Sequence, residues 1–165
     1  MAMHSPKDLF IHELSDIFDA EQKLSKMLPL LAQQSNHKEV QDAFEQHEQE
    51  TLLHISNLEQ CFHAIGVTPE TSPCQAVAGM KAEHDSFMKE KPSADILTLF
   101  NLGAGAKSEH YEIASYKGLI EQATLLGQMQ CVQLLEQNLK QEEAMEQKIT
   151  QLSHKLGLEM ASHKK

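Results

Sequence analysis

Apolar residues return at helical intervals along most of the chain. Phe10, Leu14, Ile17, Phe18, Leu24, Leu28 and Leu31 follow one another in steps that share one helix face. Ser5-Pro6-Lys7-Asp8 opens this segment, with Ser5 as cap, Pro6 in the first turn and Asp8 facing the exposed amides, so α1 is predicted over 6–33. Pro29 lies inside the stripe and predicts a kink or a loosened last turn. Asn36 and Glu39 have capping-box spacing, and Val40, Ala43, Phe44, Leu58, Cys61, Phe62 and Ile65 carry α2 over 37–65, stopped by Gly66. Ser72-Pro73 opens a shorter segment, α3, over 73–89. Ser93 caps α4, over 94–126, and Gly127 separates it from α5, over 128–156, after which a lysine-bearing tail is expected to fray.

Short turns make α1 and α2, and α4 and α5, antiparallel neighbours. The connection between the two hairpins holds a helix of its own and lets the second pack beside the first. The expectation is a single all-α domain over 1–165: a ferritin-like four-helix bundle with a short helix in its crossover. Composition agrees, with 7 Gly, 5 Pro and no Trp against 41% hydrophobic residues rich in helix formers. Lys plus Arg number 14 and Asp plus Glu 24, a net charge of −10, which argues against a nucleic-acid or acidic-membrane partner. No apolar run is long enough to span a bilayer, and the first residues lack the pattern of a signal peptide, which predicts a cytoplasmic protein. Cys61, Cys74 and Cys131 have no metal-binding or disulfide spacing and read as small buried hydrophobes.

The chemistry lies in acids that interrupt the apolar faces. Glu21 shares the face of Ile17, Phe18 and Leu24. His47, Glu50 and His54 share that of Ala43, Leu58 and Cys61. Glu109 and Glu112 precede Tyr116 and Leu119, and Glu142 and Glu146 accompany Leu135, Leu139 and Ile149. Glu21 and Glu50 stand 29 residues apart about the first turn, and Glu112 and Glu142 stand 30 apart about Gly127, so each pair is level in its hairpin. Buried carboxylates cannot stay charged side by side without cations. Oxygen ligands with one or two imidazoles suit two iron or manganese ions, with Glu21, Glu50, His54, Glu109, Glu112, Glu142 and Glu146 as candidate ligands. Periodicity does not separate Glu109 from Glu112, and His47 and His110 read equally as neighbours of a ligand or as hydrogen-bonded histidines. Tyr111 and Tyr116 lie on the same helix, either as core or as partners of a carboxylate.

EHYEIASYKGL (109–119) resembles the signature of the YciE/YciF-like family of bacterial ferritin-like proteins. DLFIHELSDIFDAEQKL (8–24), HEQETLLHISNLEQCFHAIG (47–66), CQAVAGMKAEH (74–84) and LLEQNLKQEEAMEQKI (134–149) are similar to its other helices, so the resemblance covers essentially the whole chain. It implies a rubrerythrin-like bundle with a dinuclear metal centre, a homodimer and a link to stress responses, without a settled reaction. Glu21, Glu50, Glu112 and Glu142 match the family's inward acids, and His54 and Glu146 the additional metal-side positions. The common Glu-x-x-His pattern is altered: Glu50 and His54 are four apart, and Glu146 stands where a histidine is usual. Two readings follow. One is a centre that reacts with peroxide or dioxygen. The other is a non-catalytic homodimeric scaffold with a vestigial or absent site, in which the Cys74–Met88 segment serves a contact.

Overall fold

The computed structural model describes residues 3–162 and contains five helices in the order α1 Pro6–Gln34, α2 Lys38–Ala64, α3 Gln75–Met88, α4 Ala94–Leu125 and α5 Met129–Ser162. The start of α1 is locally encoded. Ser5 Oγ accepts from Asp8 N at 3.2 Å while the Asp8 carboxylate accepts from Ser5 N at 2.9 Å, a complete capping box. The helix runs unbroken through Pro29 for one more turn. Gly66, where α2 gives way to the crossover, and Gly127, in the turn between α4 and α5, both have positive φ, 72° and 70°. Past each glycine the next amide bonds back into the helix, Val67 N to Phe62 O at 2.9 Å and Gln128 N to Ala123 O at 2.8 Å.

Three boundaries differ from the sequence expectation. Asn36 does not cap α2; His37 occupies that position without a side-chain bond. Asn36 instead holds the start of α4, donating to Asp95 at 2.6 Å and accepting from Thr98 Oγ1 at 2.8 Å. The Ser72-Pro73 start of α3 is displaced to Gln75, because α1 captures the connection: Ser72 N bonds Ser15 O at 3.1 Å and Cys74 N bonds Asp19 at 2.7 Å. Helix α5 passes Gly157 and reaches Ser162. Packing carries it there, with Leu156 buried and Lys155 Nζ donating to Glu39 on α2 at 2.6 Å. The tail after Gly157, expected to fray, is thus helical over 158–162, and 163–165 lie outside the described residues.

Helix α1 packs on α2 and α4 on α5, while α2–α5 and α1–α4 contacts close the bundle. Helix α3 lies across α1 and α4, where Phe87 stacks on Phe100 at 3.8 Å. The apolar interior forms two clusters. One gathers Phe10, Leu14, Phe18, Leu58, Phe62 and Leu135; the other gathers Leu28, Leu31, Phe44, Leu102 and Ile149. On each of the four long helices the buried acids or histidines fall between the residues of these clusters, so a polar layer crosses the bundle at mid-height. Just inside the second cluster, a Cβ on Gly105 would stand 3.0 Å from Ile149 Cδ1 and 3.3 Å from Phe44 Cε1, which lets α4 approach its neighbours closely.

Candidate metal centre

Each long helix contributes to the polar layer through a position on its own buried stripe. Glu21, His47, His54, Glu109, Glu112 and Glu142 are all buried at 0–1% exposure. Their ligand-type atoms form two groups. His47, Glu109, Glu112 and Glu142 make one, Glu21, His54 and Glu142 the other, with atoms in each group lying within 4.8 Å of one another. Glu142 belongs to both. Its Oε1 lies 2.9 Å from His54 Nδ1 and its Oε2 3.7 Å from His47 Nε2, so one carboxylate faces both groups. Glu109 Oε1 is 2.9 Å from His47 Nε2, and Glu21 Oε1 is 3.4 Å from His54 Nδ1.

Proximity here is not satisfaction. Both carboxylate oxygens of Glu109, Glu112 and Glu142, Glu21 Oε2 and His54 Nδ1 lack an aligned hydrogen bond. Buried polar atoms in folded proteins rarely remain so, and this cluster of acids and imidazoles could hold a metal ion. No Lys or Arg is paired with any of these acids among the described residues. Burial pushes Glu109 up to about 8 and also raises Glu112 well above its ordinary value, to which the neighbouring charges of Glu142 and Glu21 add. Burial also raises Glu21. His54 is pulled down by burial, but Glu21 and Glu142 outweigh it and lift it to about 10. The same contest raises His47, chiefly through Glu109. Burial is opposed at Glu142 by the bond to His54, which leaves that acid below its ordinary value. The cluster therefore holds protons wherever cations do not replace them.

A set of neighbours fixes the orientation of these side chains. Tyr116 donates to Glu21 Oε1, and Asn138 Nδ2 donates to the Tyr116 hydroxyl at 3.1 Å. His54 Nε2 lies 2.9 Å from Gln141 Oε1, an acceptor, which places the ring proton on Nε2 and turns Nδ1 toward Glu21 and Glu142. Gln141 also lines a cleft of about 500 Å³ between α2 and α5, together with Glu50, Leu53, Asn57 and Lys140. Asn57 extends the chain inward, donating to Asn138 Oδ1 at 2.8 Å.

Of the seven candidates, the structure brings Glu21, His54, Glu109, Glu112 and Glu142 together and leaves Glu50 and Glu146 outside both groups. Glu50 accepts from Gln46 at 2.7 Å, with its other oxygen 3.8 Å from His47 Nδ1. Glu146 accepts from Thr150 at 2.9 Å and lies 3.8 Å from the exposed His110. Each misses by one residue of phase, since Thr51 and Met145 fill the inward places. His47 carries more than the sequence reading assigned it. The available signal was its seven-residue spacing from His54, which places both on one stripe. Tyr111 sits apart, bonded to Asp16 and 3.1 Å from Cys74 Sγ.

Residues 5–162 match the family model described as Domain of unknown function (DUF892). The chain belongs to the DUF892 family. It is 31% identical over 154 residues to Protein YciF of Escherichia coli, covering 93% of each chain. The crystal structure of that protein, described as a stress protein, superimposes with a TM-score of 0.88 at 30% identity, over 93% of this chain and 98% of that one. YcfI of Rhodopseudomonas palustris matches with a TM-score of 0.86 at 33% identity, over 89% of this chain and 94% of that one. A Xanthomonas campestris protein at 21% identity and TM-score 0.77 shares the fold, over 97% of this chain and 99% of that one. The DUF892 assignment and the helical bundle therefore agree with the resemblance seen in the sequence. No helix among the described residues is long and apolar enough to cross a membrane.

Proposed function

We propose that this DUF892 protein is a cytoplasmic stress-response protein whose bundle holds a dinuclear iron or manganese carboxylate centre reacting with peroxide or dioxygen. The observation that carries this reading is the buried layer in which Glu142 faces two ligand groups whose oxygens lack partners. The residues fit two cations. His47 Nε2, Glu109 and Glu112 would hold one, His54 Nδ1 and Glu21 the other, and Glu142 both. Oxygen-rich sites with imidazole suit iron and manganese. A bound pair would supply one-electron chemistry at each metal to a small oxidant.

The chain's own groups supply the rest. Gln141 keeps the His54 proton on Nε2, away from the cations. Tyr116 holds a proton at Glu21 Oε1, and the two apolar clusters exclude water from either end of the layer. Glu50 bridges the cleft and His47 Nδ1, where it can take up or return a proton. That cleft is the approach for the oxidant. The family resemblance supports assembly as a homodimer, which sedimentation equilibrium would test.

Elemental analysis of chain purified without chelators tests the centre. About two iron or manganese atoms per chain are expected, lost in the Glu21→Ala/Glu142→Ala double variant. A metal-free wild type after anaerobic loading with both ions would leave the helical scaffold as the function.

A further inference from the structure

Cys61 and Cys131 stand outside the acid layer. Cys61 lies in the last turn of α2 and Cys131 in the first turn of α5, both wholly buried in the apolar cluster at that end of the bundle. They face each other reciprocally. Cys131 Sγ lies 3.6 Å from Cys61 O, and Cys61 Sγ lies 4.0 Å from Cys131 O. Two residues whose sulfurs each reach the other's backbone are close enough for a change of rotamer to bring the sulfurs to bonding distance. All three cysteines are free thiols. The third, Cys74, is engaged elsewhere by the Tyr111 hydroxyl at 3.1 Å.

We propose that Cys61 and Cys131 are a redox pair that hydrogen peroxide converts to a disulfide joining the end of α2 to the start of α5. The Cys131 thiolate attacks one peroxide oxygen. The O–O bond breaks, one oxygen leaves as water after taking a proton, and Cys131 becomes a sulfenic acid. The Cys61 sulfur then attacks the Cys131 sulfur, the S–O bond breaks, and the second oxygen leaves as water with the Cys61 proton. Two thiols and one peroxide thus yield one disulfide and two waters, with two electrons passing from sulfur to oxygen. The roles follow from position. The bond with Cys61 lowers the Cys131 thiol, and the amides of the first turn of α5 favour its thiolate. The bond with Cys131, and then burial, push Cys61 up, so it keeps the proton that the second step releases. Peroxide reaches the pair through local opening of the helix ends, five residues before Gly66 for Cys61 and four after Gly127 for Cys131. The bridge would lock the seam between α2 and α5, into which the cleft opens.

The full chain, stripped of metal by chelator so that the outcome is independent of the centre, is treated with hydrogen peroxide. It is then alkylated under denaturing conditions and mapped by mass spectrometry. A loss of about 2 Da, alkylation at Cys74 alone and a peptide linking Cys61 to Cys131 are expected. Tm should rise by about 5–10 °C and return on reduction. The Cys61→Ser variant should show no bridge and a dimedone adduct on Cys131; Cys131→Ala serves if that variant does not fold, and should likewise show no bridge. Three alkylated cysteines after excess peroxide, a bridge to Cys74, or sulfinic acid on Cys131 without a bridge would each overturn the proposal.

Discussion

Glu112 shows what a single residue contributes to such a layer. It is fully buried with neither oxygen bonded, and its nearest charges are other acids, so in the metal-free chain folding forces a proton onto it. Glu112→Gln removes that cost with little change of shape. The metal-free variant should be more stable by about 1–3 kcal/mol in urea denaturation, yet bind less metal. A loss of stability would mean that Glu112 is satisfied in a way the geometry does not reveal. Tyr116→Phe acts in the opposite direction. It removes the hydroxyl that donates to Glu21 Oε1 and leaves Asn138 Nδ2 only its bond to His54 O at 3.4 Å, and should cost about 1–2 kcal/mol by the same measurement. Spacing in the sequence brought Glu21, Glu112 and Glu142 out correctly as inward acids, because each stands where an apolar residue would continue the stripe. Glu50 and Glu146 stand half-buried at the edge of the layer because a step of one residue turns a helix by about 100°, and their neighbours Thr51 and Met145 take the fully buried places.

Among the elements, the short turn at 35–37 and the glycine turn at Gly127 set the two hairpins, and through them the level at which acids on adjacent helices meet. Asn36 sets how one hairpin sits on the other. Its amide and backbone bond Asp95 and Thr98 at the start of α4, linking the first turn to the second hairpin. Asn36→Ala should cost about 1–2 kcal/mol, read as a lower Tm by calorimetry with unchanged helix content by circular dichroism. A loss of helix would instead show that Asn36 starts α2, as its spacing from Glu39 suggested. That spacing was readable; the competing partner on α4 was not, because it lies about sixty residues away.

For the whole molecule, the acid layer ties stability to pH and to metal. Glu109 rises from 4.5 to about 8 on folding, and His54 from 6.5 to about 10. With both values raised, the folded metal-free chain binds more protons than the unfolded chain between those limits. Stability is therefore full below the unfolded values and is lost as pH climbs through the folded ones. Cations bound as proposed would replace these protons and remove the dependence. Between about pH 6 and about pH 9 the Tm of chelator-treated protein should fall, while that of metal-loaded protein changes less, so the gap widens with pH. A gap that is constant, or that narrows, would argue against carboxylate ligation. What the sequence by itself determined is what neighbours a few residues apart decide: the number of helices, the Ser5 cap, both glycine turns and the stripes on which acids interrupt the core. Only the tertiary structure decided the phase that chose Thr51 over Glu50, the place of His47 among the acids, the length of α5 and the meeting of Cys61 with Cys131. The physical reason is that helix periodicity fixes a face about 100° wide, and which residue within it turns fully inward is settled by the helices that pack against it.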